Sequence, residues 1–330
     1  MSERALLADV GGTNVRFALA DPAASAPLSP DSIQTYAVAD YPSLADAARH
    51  YLDANDVRAT HGVFAIAGRV ERDQARMTNH PWVVSRRLLQ DTLGLDALEL
   101  INDFVAQAMA VRLLREDDLL PIGPRPSSAP ADAGSRACCV LGPGTGLGVA
   151  ALIVRGGHSI ALATEGGHVG FAPGTDEEVA VLQRLAARFG HVSNERLVSG
   201  GGLVNLHCAL AEIAGMPCDQ DAQPADITAG AEAGDALCVR AIELFCDVFG
   251  SVAGDMTLAL GAWDGVYLSG GLVPRLLPEL QRPAFRARFE AKGRYAEALA
   301  RVPTSAVVHP QPGLLGAAAI ACDIALERAR

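Results

Sequence analysis

The chain has 330 residues, long enough for two domains with cores of their own. Half of it is hydrophobic and 20% is charged, which is a globular composition and excludes a disordered chain. The net charge of −11 leaves no basic surplus to neutralise phosphate backbones, so no nucleic acid is expected as a partner.

A strand is predicted over residues 5–10, leading into Asp9-Val10-Gly11-Gly12-Thr13-Asn14, and a second strand follows at 15–20. The setting is therefore strand–turn–strand rather than strand–turn–helix. Glycine lets backbone N–H groups converge on an anion, and the threonine hydroxyl adds a donor. An ordinary hairpin is the other reading of these residues. Asp9 also interrupts the first apolar run too early for a secretion signal, and no long charge-free apolar stretch follows. A soluble, cytoplasmic protein with no membrane partner is expected.

The stretch 21–32 reads as a loop, followed by a helix at 43–54, a strand at 62–67, a helix at 84–93 and a strand at 97–101. The segment from Arg76 to Trp82 gathers polar groups and one tryptophan. The strand ends in Asn102-Asp103, where a helical pattern starts at Phe104. Ligands collect at the carboxyl ends of strands in α/β sheets, so Asp103 stands where a reacting group would be useful. It would equally serve as the cap of the following helix. The helix N-terminus is expected to lower its pKa.

Proline- and alanine-rich loops follow at 121–136 and 217–226, the first a candidate boundary between lobes. The strand Cys138–Leu141 runs into Gly142-Pro143-Gly144-Thr145-Gly146-Leu147-Gly148, and another strand follows at 149–154. This is the glycine–threonine turn a second time, and two copies suggest two lobes gripping one polyphosphate. In Thr164-Glu165-Gly166-Gly167-His168 a turn can aim a carboxylate and an imidazole into one pocket, where they suit sugar hydroxyls, or it can leave both in solvent. Helices are expected at 176–189, 203–214, 235–260 and 314–327, with Gly190 and Gly261 as helix-ending glycines. Glu195 reads as a ligand or as an exposed loop acid. A strand at 265–269 runs into Gly270-Gly271, which permits close approach of a ribose or a flat ring. The alternation is that of an α/β protein with mixed sheets.

Lys292 is the only lysine, and neither a Walker pattern nor G-x-G-x-x-G is present. Seven cysteines (138, 139, 208, 218, 238, 246 and 322) form no C-x-x-C pair and no zinc spacing, and are expected to be reduced and mostly buried.

In order along nearly the whole chain, these segments resemble the bacterial glucokinase family. The resemblance is carried by Asp9–Asn14, Thr78–His80 with Trp82, Ile101–Phe104, Gly142–Gly148, Glu165–Val169 with Phe171–Pro173, Gly190–Ser193 with Glu195-Arg196, Ser269–Arg275 and Pro312–Gly316. It is similar to the branch outside the repressor/sugar-kinase group, whose cysteine–histidine zinc motif it lacks. The chain begins directly on its first strand, without a basic helix-turn-helix segment, which favours an enzyme over a sugar-binding regulator.

The resemblance implies a two-lobed actin-like ATPase-domain (ribonuclease H-like) fold with mixed sheets and an interlobe cleft. A small domain of 1–112 plus 306–330 and a large domain of 113–305 are expected. It further implies a cytoplasmic homodimer that phosphorylates D-glucose at the 6-hydroxyl with ATP and Mg²⁺, feeding glycolysis. Carried over by position, Asp103 would be the general base, and Asn102, Glu165, His168 and Glu195 would hold the sugar. Gly11, Gly12 and Thr13, with Gly144, Thr145 and Gly146, would face the phosphates. Asp9 would orient Mg²⁺, directly or through water, and Gly270 and Gly271 would lie near the adenosine. Two positions depart from the family: Arg69 and Gly201 stand where relatives commonly carry proline.

Overall fold

The computed structural model describes residues 4–77, 80, 82–123 and 135–328. Thr78, Asn79 and Pro81 of the polar segment, and residues 124–134 of the proline-rich loop, lie outside the described residues. The chain forms two compact units, Met1–Glu116 with His309–Arg330, and Asp117–Val308.

In the first unit, β1 (Ala5–Val10), β2 (Asn14–Ala20), β3 (Leu28–Ala37), β4 (His61–Ile66) and β8 (Ala97–Asn102) form one sheet in the order β3-β2-β1-β4-β8. The short strands β5 (Gly68–Glu71), β6 (Gln74–Met77) and β7 (Val83–Ser85) form a separate three-stranded sheet. The helices are α1 (Leu44–Ala54), α2 (Arg86–Leu93), α3 (Asp103–Ala110) and, returning from the end of the chain, α11 (Pro312–Arg328). Strand alternation sorts β1 between two cores. Leu6, Ala8 and Val10 pack with Leu44, Ala47 and Tyr51 of α1, whereas Ala5 and Leu7 pack with Ala106 of α3 and Leu314 of α11.

The second unit repeats this plan. Its sheet runs β12 (His158–Thr164), β11 (Leu147–Arg155), β10 (Ser135–Pro143), β13 (Gly265–Leu268), β14 (Thr304–Val307) and β9 (Leu119–Pro121). In both sheets three antiparallel strands are followed by two parallel ones, and β9 adds an antiparallel edge to the second. Its helices are α4 (Asp176–Phe189), α5 (Gly200–Ile213), α6 (Pro224–Glu232), α7 (Ala236–Leu260), α8 (Leu277–Leu280), α9 (Pro283–Glu290) and α10 (Ala296–Ala300). The repeated sheet order is that of the actin-like ATPase-domain fold.

Local chemistry explains the helix limits. Ser43, Thr175, Ser199 and Asp235 each accept a backbone N–H from the first turn of the helix they precede. Gly190 (φ +70°) and Gly261 (φ +63°) close α4 and α7 in conformations that a Cβ would oppose. Among the described residues, no helix is long and apolar enough to cross a membrane.

Three expectations are corrected. The loop predicted over 21–32 contains the start of β3, and the loop over 217–226 gives way to α6 at Pro224. The cysteines are not all reduced: α5 and the chain after it bring Cys208 and Cys218 to a Cα separation of 5.2 Å, joined as a disulfide.

Gly201 lies in the first turn of α5, and a Cβ there would meet nothing within 4 Å. Gly201→Ala is therefore expected to stabilise the protein by about 0.5–1 kcal/mol, since alanine loses less backbone entropy in a helix. The urea midpoint measures this. A lower midpoint would mean that the turn needs glycine for another reason.

Candidate active site

In the first unit, the site grows from the register of three parallel strands. Val10, Ile66 and Asn102 stand level on β1, β4 and β8, so Asp9 and Asp103 sit at the same carboxyl edge of the sheet. The turn after Asp9 joins antiparallel strands, as its spacing predicts, and is closed by a Gly11 N–H bond to the Asn14 carbonyl at 2.9 Å. Gly11 and Gly12 are half-buried and Thr13 is exposed.

Asn102, not Asp103, is the cap of α3. Its Oδ1 accepts from the N–H groups of Phe104 and Val105, at 2.9 and 3.3 Å, and its Nδ2 donates to the Gly68 carbonyl at 3.1 Å. Asp103 is thereby left free of capping as the first helical residue. Its pKa is not lowered, as the helix terminus alone would suggest, but pushed up to about 7. Burial contributes most, and the negative charge of Asp9 adds to it against opposing hydrogen bonds from the start of α3. A carboxyl near neutrality is suited to accepting a proton from a hydroxyl.

Asp9 is half-buried, and burial raises its pKa too, offset in part by Arg16. Arg16 Nη1 lies 3.7 Å from the Asp9 Oδ2. The sequence reading missed Arg16, although the hairpin register that sets it opposite Asp9 follows from the turn length. The first turn of α11 closes against Asp9, where a Cβ on Gly313 would stand 2.9 Å from the carboxylate.

In the second unit, the turn Gly144–Gly146 again joins antiparallel strands, with Pro143 opposite Leu147 and the Gly144 N–H bonded to the Gly146 carbonyl at 2.8 Å. Three other segments converge on it. The Glu195 Oε2 accepts from the Leu147 N–H at 2.9 Å, and the Gly200 N–H donates to the Gly144 carbonyl at 2.8 Å. The segment after β13 passes so closely that a Cβ on Gly142 would overlap the Ser269 carbonyl, and Gly270 takes φ +91° beside Pro143. Gly271 faces open space.

Glu165 and His168 flank the single-turn segment Gly166–His168. The His168 Nε2 lies 4.0 Å from the Glu165 Oε2, and both side chains are exposed. The two glycines are needed there, since a Cβ on Gly167 would overlap the Leu147 carbonyl and one on Gly166 would press on Val149. A bridge between Gly170 and Ser193, with the Asn194 N–H bonded to the Val169 carbonyl at 2.9 Å, ties this turn to the segment carrying Glu195. The second unit thus gathers Glu165, His168, Glu195, Gly144–Gly146 and Gly270 around the end of its own β10–β11 hairpin. Of the remaining polar segment, His80 stands edge-on to Trp82, 4.9 Å between centroids. Arg69 forms an exposed ion pair with Glu71 at 2.9 Å.

The glucokinase family model matches residues 6–324. The chain is 55% identical to the glucokinase of Stenotrophomonas maltophilia (strain R551-3) over 323 residues, covering 98% of this chain and 96% of that protein. It superposes on a glucokinase from an Antarctic psychrotroph with a TM-score of 0.86 and 34% identity, covering 97% and 99% of the two chains. A ROK-family glucokinase from Streptomyces griseus shares the fold, at a TM-score of 0.64 and 18% identity over 96% and 98%. Strand-end carboxylates and paired glycine turns thus sit in a chain that matches one family from end to end, and this protein belongs to the glucokinase family.

Proposed function

We propose that this protein transfers the γ-phosphoryl group of ATP to the 6-hydroxyl of D-glucose, giving glucose 6-phosphate and ADP. The observation that carries the reading is Asp103, a carboxyl held near pKa 7 at the carboxyl edge of the sheet and relieved of capping by Asn102. Asp103 takes the proton of the 6-hydroxyl as that oxygen bonds to the γ-phosphorus and the bond to the ADP oxygen breaks. Such transfers have a loose transition state, so positioning and charge stabilisation matter more than base strength.

Glu165, His168 and Glu195 hold the other sugar hydroxyls, and the one Asn102 N–H not bonded to Gly68 adds a donor. The turns Gly11-Gly12-Thr13 and Gly144-Thr145-Gly146 face the phosphates; the N–H groups of Gly11 and Gly144 close the turns themselves, and Gly270 and Gly271 border the adenosine. Asp9 fits the role of orienting Mg²⁺, directly or through water. Its half-buried carboxyl, raised in pKa by desolvation, regains its charge beside a divalent cation. When bound, Mg²⁺ supplies charge neutralisation on the phosphates.

The reading extends to a cytoplasmic homodimer in the branch outside the repressor/sugar-kinase group. The missing cysteine–histidine motif supports the last point.

The test is ADP release with Mg-ATP and no sugar, glucose, mannose, fructose or N-acetylglucosamine. Glucose-dependent release is the expected result, and a flat response across all sugars overturns the proposal. Glu195→Gln retains an acceptor for the Leu147 N–H but loses the charge. It should raise the KM for glucose about 10–100-fold, as loss of a charged hydrogen bond does. An unchanged KM would remove Glu195 from the sugar site.

A further inference from the structure

In the second unit, His207 stands at the centre of a donor set that phosphoryl transfer does not use. His207 and Cys208 lie on α5, Cys218 lies in the chain that follows it, and Asp235 and Cys238 begin α7. The ligating atoms of His207, Cys208 and Cys218 are within 4.8 Å of one another, as are those of His207, Asp235 and Cys238. The Nδ1 of His207 is 4.0 Å from the Cys218 Sγ. On a tetrahedral zinc, bonds of about 2.0–2.1 Å to nitrogen and about 2.3 Å to sulfur set those atoms about 3.6 Å apart. The two sulfurs, joined in the disulfide, must also part to about 3.8 Å on such a metal, so the site requires reduction and a rotation of Cys218, which lies on a non-helical segment. One imidazole and two thiolates suit zinc rather than magnesium or calcium, which take oxygen ligands.

Asp235 is engaged differently. Its Oδ1 accepts from the N–H groups of Leu237 and Cys238, at 3.0 and 2.8 Å. A carboxylate beside a ligating imidazole fixes the orientation of the ring, as outer partners of metal-bound histidines commonly do. Cys208 is buried, while His207 and Cys218 are half-exposed and leave a path from solvent.

We propose that the reduced protein binds a zinc-class divalent cation through His207, Cys208 and Cys218, with Asp235 orienting His207. A water completes the tetrahedron. The Cys208–Cys218 disulfide leaves neither sulfur a charge to offer a metal, so disulfide and cation are alternative states of the same pair. The local spacing rules that find zinc sites from C-x-x-C pairs miss this set, because α5 and α7 assemble it through tertiary packing.

The test uses the full chain purified under thiol reductant. Zinc content is read by mass spectrometry, and Co²⁺ is titrated into the stripped protein to look for thiolate-to-cobalt charge-transfer absorption. About one metal per chain and that absorption are expected, with both lost in Cys218→Ser and in the oxidised protein. Asp235→Asn, which keeps the cap, should weaken Co²⁺ binding about 10–100-fold. Cys322→Ser should change nothing. Sugar-dependent ADP release, measured on every variant, shows that each is folded. The proposal is overturned if the reduced protein takes up no Co²⁺, or if uptake survives in the folded Cys208→Ser/Cys218→Ser double variant.

Discussion

Asp103→Asn is expected to lower kcat for glucose phosphorylation about 10²–10⁴-fold, the range that a positioned general base contributes, with KM little changed. In the parent enzyme, kcat/KM should rise with pH along a limb centred near 7, where the Asp103 carboxyl loses its proton. That limb should vanish in the variant. Stability should move the other way. The folded protein holds a proton on Asp103 up to about pH 7, whereas the unfolded chain releases it near the ordinary value of 3.8. The raised pKa therefore adds stability that is present at low pH and lost as pH rises through about 7. At pH 8 the parent carries a partly desolvated carboxylate facing Asp9, and the asparagine variant does not. The variant should be more stable there by about 1–3 kcal/mol once solvent screening is counted. Urea unfolding at pH 5.5 and 8 checks both signs. A variant less stable than the parent at pH 8 would show that Asp103 is not strained by its setting.

Gly316→Ala should be among the most damaging single-methyl changes in the chain. On α11, Gly316 presses against α3 so closely that a Cβ would overlap the Ala106 carbonyl oxygen. The obstacle is backbone inside a helix, which cannot rotate away as a side chain could. Relief requires α11 to lift from α3, opening the core that Leu314, Ala317 and Ala318 share with Ala106 and Ala110. A loss of about 3–5 kcal/mol is expected, at the upper end for overpacking. Because Gly313, one turn earlier, seats α11 on Asp9, the same displacement should reduce kcat even in the molecules that remain folded. A shift in the urea midpoint corresponding to less than about 1 kcal/mol would show that the two helices can separate at little cost.

The parts of the fold legible in the sequence are those set by local periodicity. The apolar runs around both glycine–threonine turns gave their hairpins, and Gly190 and Gly261 marked the ends of α4 and α7. β3 escaped because Pro30, Asp31 and Ser32 imitate a loop, although Tyr36 and Leu28 pack inward and the strand is held on one side by β2. β14 and β9 are too short to show a period; β14 forms on the edge that β13 offers, and β9 on the edge of β14. At the site, residue identity was legible but charge state was not. The local helix terminus argued for a depressed Asp103 pKa, whereas burial and Asp9, on a different strand, raise it. The division of labour between Asn102 and Asp103 was equally hidden, since either residue type can cap a helix. The disulfide likewise depends on how α5 and the following chain pack.

The bond from the Leu147 N–H to Glu195 has a consequence for how two ligands sense each other. On the functional reading above, one carboxylate serves both a hexose hydroxyl and the backbone that faces a phosphate. A hexose hydroxyl on Glu195 would then compete with the Leu147 N–H for that carboxylate, and Leu147 directly follows the turn Gly144–Gly146. Whatever factor glucose adds to nucleotide affinity, the nucleotide must return to glucose, because the two bindings close one thermodynamic cycle. A small molecule that competes only for sugar would then change the retention of ATP without touching its binding surface.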